Sequence, residues 1–317
     1  MRAVFVDFAT VSAGDLDTMR LERALPGLRY YPETKPDELL ARVSDAEAIL
    51  ANKVRLDARV LAAAPSLRLI CLPATGTDNV DLAAAAARDI AVCNVRAYCT
   101  VSVVQHVYAL ILALTQQLVA YRAALQSGAW SSSARFCLLD FPIRELAGKT
   151  LGIVGHGELG RGVARVGAAF GMRVLIAARR GAAPAADHIA FDEVLARADV
   201  LSLHCPLTPE TRNLIGAPEL ARMRADALLI NTARGALVDS AALAAALRAG
   251  RLGGAGIDVL EQEPPPPDHP LMAGDIPNLI VTPHIAWAAR EARQRALDEI
   301  AENVSSFLGG GRRNRVV

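Results

Sequence analysis

The stretch "LGIVGHGELGRGVARVG", Leu151 to Gly167, decides how the rest of the chain is read. An apolar run of strand length leads into Gly155, Gly157 and Gly160 in GxGxxG spacing, and a helical pattern follows at once. Such spacing alone says little, because glycine-rich loops are common. Between a strand and a helix it acquires a mechanism. The first glycine permits a tight turn, the second lets backbone approach a pyrophosphate, and the third lets helix and strand pack closely. The unpaired N–H groups of the helix N-terminus, in the segment His156, Gly157, Glu158, Leu159 and Gly160, are then offered to phosphates. A βαβ turn that binds nothing is the weaker alternative.

Outward from this turn the pattern repeats. "LGIVG", "MRVLIAA", "VLSLHCP", "LLINTA", "AGIDVL" and "LIVTPH" are six strand-like runs separated by helix-length segments, enough for a complete doubly wound sheet. One connecting helix is bounded by chemistry: Ser240 as N-cap, "AALAAALRA" as body and Gly250 at C′. Upstream, the strands predicted are Ala3–Phe8, Ala46–Ala51, Leu67–Leu72 and Ala91–Asn94. Helices at Asp37–Val43, Asp57–Ala63 and Asp81–Arg88 each open on an aspartate that caps or complements the N-terminus. A long helix is predicted from about Ser102 to Gln126 with Gly128 as its stop, then the connector "SGAWSSSARFCLLDFPIRELAGKT". A final amphipathic helix runs from about Arg290 to Leu308. Strands alternating with helices from end to end imply an α/β chain with parallel sheets.

Composition narrows the function classes. At 317 residues there is chain for two domains with substantial cores. A net charge of +1 gives no electrostatic attraction to nucleic acid or to an acidic membrane. Cys71, Cys93, Cys99, Cys137 and Cys205 are odd in number and scattered, with no CxxC pair. That argues against a disulfide framework or a zinc site, so no metal is expected, and for a reducing compartment. "MRAVFVDF" reads as a strand rather than a signal peptide, and Val107 to Leu125 is too polar to span a bilayer. A soluble cytoplasmic protein is the expectation.

The second strand of the glycine-turn unit, Met172 to Ala177, raises a question about the cofactor. In an NAD site this strand ends in an acid that holds the adenosine ribose. Here the tip reads Ala177-Ala178-Arg179-Arg180. With Ala178 in the acid's slot, Arg179 and Arg180 are suited to a 2′-phosphate through charge-assisted bonds, each worth roughly 1.5–3 kcal/mol. NADP(H) is therefore expected over NAD(H), which stays the second option. The competing reading makes both arginines solvated surface groups.

Arg234 follows "LLINTA", Glu263 comes shortly after "AGIDVL", and His284 ends "LIVTPH". All three belong at the carboxyl edge of the sheet, the edge of the glycine turn. A cation to hold a carboxylate and polarise a carbonyl, a proton donor near neutral pH and an anion to tune it form one coherent set. Singly, His284 could cap a strand, Arg234 could pair with Asp239, and Glu263 could be a surface residue. His106, His188, His204 and His269 carry no assignment.

The segments "LPATGTDNVDL", "GKTLGIVGHGELG", "LHCPLTPETRNLI", "INTARGALVD", "GIDVLEQEPP" and "TPHIAWA" together resemble the D-isomer-specific 2-hydroxyacid dehydrogenase family over essentially the whole chain. "ANKVRLD", "FCLLDFPIRELAGKT" and "HIAWAAREA" are similar to its glycerate dehydrogenase and hydroxypyruvate or glyoxylate reductase branch. The resemblance implies two Rossmann-like domains: a discontinuous, flavodoxin-like substrate domain of residues 1–100 plus 288–317, and a dinucleotide-binding domain of residues 101–287. It implies NAD(P)H-dependent reduction of small 2-oxo acids, with Arg234 binding the carboxylate and carbonyl, Glu263 tuning the histidine and His284 as general acid/base. Backbone around Ala74, Thr75 and Gly76 would hold the carboxylate, with Asn52 and Trp287 shaping selectivity. His156 to Gly160, Cys205, Pro206, Thr211, Thr232, Ala233, Asp258 and Ser102 would line the cofactor. The helix after the first crossover would build a two-fold homodimer. Trp287 departs from the glycine common in the family, and there a narrowed pocket and plain core packing compete equally. A nicotinamide-sensing interaction protein of corepressor type is the alternative from another class, and the Arg/Glu/His set speaks against it.

Overall fold

The computed structural model describes residues 1–183 and 187–317. Among them the chain forms two compact units, one of residues 1–99 with 287–317, the other of residues 100–286.

The first unit is a five-stranded parallel sheet with strand order β2-β1-β3-β4-β5. Its strands are β1 (Ala3–Phe5), β2 (Arg29–Tyr30), β3 (Ala48–Leu50), β4 (Leu69–Cys71) and β5 (Ala91–Cys93). The helices α1 (Met19–Ala24), α2 (Pro36–Val43), α3 (Ala58–Ala62) and α4 (Leu82–Ala86) alternate with them. Successive strand residues face opposite sides. Ala3, Phe5, Ala48 and Leu50 therefore pack toward the C-terminal helix Arg290–Leu308, while Val4 and Ile49 pack with Leu39, Val43 and Leu61 of the other helices. Asp57 and Asp81 cap α3 and α4 as expected, accepting from the N–H groups of Val60 and Ala84. The strand expected over Ala3–Phe8 stops at Phe5, and β2 and α1 lie where no element was expected.

In the second unit the long helix expected from Ser102 to Gln126 is two helices, α5 (Thr100–Thr115) and α6 (Leu118–Gln126), bent by 57°. The physical cause lies around Thr115. Its hydroxyl bonds back to the Ile111 carbonyl, which bends helices, and its own carbonyl accepts the Arg144 N–H of the connector. Gln117 then turns left-handed, with φ at 55°. No single helix among the described residues is long and apolar enough to cross a membrane.

The parallel sheet of this unit has strand order β11-β10-β9-β8-β6-β7. In chain order its strands are β6 (Thr150–Val154), β7 (Arg173–Ala177), β8 (Val200–Leu203), β9 (Leu228–Asn231), β10 (Gly254–Ile257) and β11 (Leu279–Val281). The helices α7 (Glu158–Ala169), α8 (Phe191–Arg197), α9 (Ala217–Arg222) and α10 (Ser240–Arg248) connect them. Because β6 lies between β7 and β8, the strand order reverses beside it, and the loop leaving its carboxyl end opens at a topological switch point. Two boundary expectations meet different fates. Gly250 ends α10 with φ at 62°, its N–H on the Leu247 carbonyl and the Arg251 N–H on that of Ala246. The N-cap, however, is Asp239 rather than Ser240: the Asp239 carboxylate accepts the Ala242 N–H at 3.0 Å, leaving Ser240 as the first helical residue.

His204, just beyond β8, supports the glycine loop through its backbone, its N–H bonding the Val154 carbonyl at 2.7 Å. Its Nε2 meets the Ser202 hydroxyl at 2.9 Å, whereas Nδ1 is shielded without a partner among the described residues. Packing around the ring disfavours the charged form and holds its pKa down to about 4. An unfolded histidine titrates near ~6.5, so the unfolded state binds the extra proton first as pH falls. Unfolding free energy is therefore expected to drop as pH falls from about 6.5 to about 4. His204→Gln should flatten that limb in urea titrations; an unchanged slope would remove His204 as its source.

Candidate active site

The glycine turn has the features required to cradle a dinucleotide phosphate. Gly155 holds φ at 95°, and a Cβ there would meet the Cys205 nitrogen at 2.5 Å. A Cβ on Gly160 would meet the Gly155 oxygen at 2.1 Å, so strand and helix approach as only glycines allow. At Gly157, by contrast, a Cβ would point into open space. Gly157 caps α7 without any side-chain bond to the helix N–H groups, and the Glu158 carboxyl engages the Thr100 hydroxyl. At the end of β9 the Thr232 hydroxyl is buried with no hydrogen-bond partner among the described residues, a polar atom placed for an incoming group. Open space at Gly157, an uncapped helix end and an orphaned hydroxyl fit a bound nicotinamide dinucleotide. Cys205, Pro206 and Thr211 border the same edge after β8, where the Thr211 hydroxyl donates to the Pro206 carbonyl at 2.8 Å.

The acid–base pair is assembled by the loops after β10 and β11. His284 Nδ1 lies 2.6 Å from Glu263 Oε2, and the other Glu263 oxygen accepts the Leu260 N–H at 2.9 Å. About a third of each side chain stays exposed, 29% for His284 and 34% for Glu263. His284 sits in the left-handed region with φ at 55°, an unfavourable conformation for a residue with Cβ. What holds it there is Asp258, only 1% exposed. The Asp258 carbonyl accepts the His284 N–H at 2.8 Å. Its carboxylate accepts the N–H groups of Ile285 and Ala286, each at 2.9 Å, and the Thr282 hydroxyl at 2.5 Å. His106 of α5 joins this cluster, with Nε2 3.0 Å from the Thr282 hydroxyl and 3.5 Å from Asp258. Ser102 closes the turn from α5 by donating to the Ala286 carbonyl at 2.7 Å.

Arg234 stands at the end of β9, ahead of a short 3-10 turn over Gly235–Leu237. Asn231 shapes its loop: the side-chain amide donates to the Arg234 carbonyl at 2.8 Å and its oxygen accepts the Ala233 N–H at 3.1 Å. Asp239, the other partner considered for Arg234, caps α10 with its carboxylate. Sequence reasoning passed over Gly235. A Cβ there would lie 1.9 Å from the Leu260 carbonyl carbon, so the Arg234 loop rests on the backbone of the segment that carries Glu263. The glycine in "TARGA" was the available signal.

At the tip of β7, Ala178 is buried and Arg179 is exposed. Arg180 is not a freely solvated group: its Nη2 donates to Glu219 Oε1 at 2.6 Å. His188 lies near this end too, its ring 6.4 Å from that of His156 in the glycine loop.

The remaining substrate candidates belong to the first unit. The buried Asp7 carboxylate accepts the N–H groups of Asn52, Lys53 and Val54 at 2.6–3.1 Å, and the Asn52 side chain donates to the Thr10 hydroxyl at 3.0 Å. The strand predicted over Ala3–Phe8 would include Asp7, whereas an acid inside an apolar run signals this buried hydrogen-bonding role. The loop of Ala74, Thr75 and Gly76 is tied to residues after β5, with the Val95 N–H on the Ala74 carbonyl and the Thr75 hydroxyl on the Val95 carbonyl. The Trp287 ring packs edge-on to Tyr98, 6.3 Å between centroids, against the first unit's core.

Gly235→Ala is expected to cut catalytic efficiency sharply and lower the melting temperature, because backbone rather than a flexible side chain must move. Steady-state kinetics and a thermal melt check this; wild-type behaviour in both would refute the close approach.

Comparison with known proteins identifies the family. Residues 108–286 match the D-isomer specific 2-hydroxyacid dehydrogenase, NAD binding domain. Over 287 residues, 90% of each chain, the sequence is 46% identical to a glycerate dehydrogenase of Methylorubrum extorquens. It is 35% identical to a hydroxypyruvate reductase of Blautia hydrogenotrophica, over 98% of each. A crystal structure of a Thermus thermophilus protein superposes over 100% of both chains with a TM-score of 0.88 at 39% identity. The chain is an oxidoreductase that belongs to the D-isomer-specific 2-hydroxyacid dehydrogenase family.

Proposed function

We propose that the chain reduces small 2-oxo acids, glyoxylate and hydroxypyruvate, to D-2-hydroxy acids and catalyses the reverse oxidation, preferring NADP(H) and accepting NAD(H). The observation that carries this reading is the 2.6 Å contact of Glu263 with His284 at the edge where Arg234 and the glycine turn also lie. Relatives named glycerate dehydrogenase, hydroxypyruvate reductase and glyoxylate reductase support the choice of substrate class. Arg179 and Arg180 in place of a ribose-binding acid support the cofactor preference.

In this reading the loop from Gly155 to Gly160 and the N-terminus of α7 hold the pyrophosphate, while Cys205, Pro206, Thr211, Thr232, Ala233 and Asp258 line the rest of the cofactor, with Ser102 beside the His284 turn. The nicotinamide, when bound, supplies the hydride. Arg234 holds the substrate carboxylate and polarises its carbonyl through charge-assisted hydrogen bonds. Glu263 binds His284 Nδ1 and fixes the ring's orientation, so Nε2 is the position that delivers a proton to the substrate oxygen in reduction and removes it in oxidation. Ala74, Thr75, Gly76, Asn52 and Trp287 are the first unit's contributions to substrate binding.

The protein is further proposed to be a cytoplasmic homodimer. Leu118, Val119, Leu125, Trp130, Phe136 and Leu139 of α6 and the connector are exposed apolar side chains, Phe136 by 90%. Large apolar side chains exposed together in one segment are the kind of surface that a subunit contact covers. Light scattering is expected to give twice the chain mass, and Phe136→Asp with Leu139→Asp to reduce it; a wild-type monomer would refute the dimer.

His284→Ala is expected to lower kcat by roughly 10²–10⁴-fold while cofactor affinity stays unchanged. Rates with glyoxylate, hydroxypyruvate, pyruvate and phenylpyruvate, each against NADPH and NADH, test substrate and cofactor together. Retained turnover in the variant would remove His284 from the chemistry, and a clear preference for NADH would overturn the cofactor reading.

A further inference from the structure

The Arg180 guanidinium, half exposed at 51%, is bound by a carboxylate that is only 4% exposed. Glu219 belongs to α9, a helix that sequence reasoning did not connect with the cofactor. Its two oxygens have separate tasks: Oε2 accepts the Gly216 N–H at 3.0 Å, closing the N-terminus of α9, and Oε1 takes Arg180 at 2.6 Å. The arginine at the ribose end is therefore not an isolated positive charge. It is half of an ion pair whose anion is locked in place by the helix cap.

We propose that Glu219 is a specificity-determining residue that weakens discrimination between NADPH and NADH by offsetting the charge of Arg180. This rests on the cofactor reading above, in which Arg180 meets the 2′-phosphate. A guanidinium has five N–H donors, and the bond to Glu219 is made from Nη2, so the remaining donors can still engage a phosphate. The phosphate then approaches a pair of net charge zero. Attraction to the guanidinium is reduced by repulsion from a carboxylate lying just behind it. An adenosine 2′-hydroxyl, being neutral, senses almost none of this. Glu219 thus penalises NADPH selectively, and Arg179 is the cation of the tip without an acidic partner among the described residues.

The test removes the charge. Glu219→Gln is neutral, and its single oxygen can keep the Gly216 N–H while the amide NH2 takes the place of the oxygen that accepts from Arg180. Dissociation constants for NADPH and NADH are measured by cofactor fluorescence without substrate, and those for 2′,5′-ADP and 5′-ADP by calorimetry. Glu219→Gln is expected to tighten NADPH and 2′,5′-ADP by roughly two- to fivefold at low ionic strength, the scale of one partly exposed charge pair. NADH and 5′-ADP should be unaffected, and the gain should fade in high salt. In an Arg180→Gln background the same substitution should have no effect. An unchanged or reduced NADPH-to-NADH affinity ratio, an equal shift for both cofactors, or a gain that survives Arg180→Gln would each overturn the proposal. If the wild-type protein binds NADPH no better than NADH, the stated cofactor preference fails. The change in ratio on Glu219→Gln still decides the role of Glu219.

Discussion

A carboxylate removed from water must be met by donors, and around Asp258 those donors are the turn that carries His284. Thr282, Ile285 and Ala286 all give hydrogen bonds to this one buried side chain. They do so only if the backbone between them takes the path that forces His284 to a positive φ. The cost of that conformation is offset within the same cluster. His106 and Ser102 of α5 add contacts to Thr282 and Ala286, so the first helix of the second unit supports the last turn of its sheet.

The neighbouring loop obeys a steric constraint instead. Gly235 lets the segment after β9 lie against Leu260, and the Leu260 N–H in turn holds Glu263. Arg234 and Glu263 thereby belong to two loops joined by backbone packing, and His284 reaches Glu263 from a third. A cation, an anion and an imidazole are gathered at one sheet edge by a buried acid on one side and a missing Cβ on the other. Neither device touches the reacting atoms in the proposed chemistry. Both determine where those atoms can be met.

Much of this was legible in the residues. Parallel α/β architecture followed from alternating apolar runs, because a strand buried on both faces leaves an unmistakable stretch of β-branched and aliphatic residues. Arg234, Glu263 and His284 could be placed at one edge because every parallel strand ends there. The break of the long helix at Gln117 was not legible, since it depends on Arg144 of a distant connector taking the Thr115 carbonyl. Nor was β2, two residues long and half exposed, which has too little periodic pattern to stand out. Ser240 has the right chemistry for a cap, but so does Asp239 one residue earlier, and only the observed helix start distinguishes them.

The sequence by itself determined the doubly wound sheets, the glycine turn and the identity of the polar residues at their carboxyl edge, because these follow from local spacing and from rules that hold for every parallel sheet. Tertiary structure alone decided that Asp258 holds the His284 turn, that Gly235 rests on Leu260, and that Arg180 is paired with Glu219. Each of these joins residues at least 25 positions apart across different loops and helices. Hydrogen bonds and close approaches of that kind depend on how the elements pack, and no local pattern of residues encodes them.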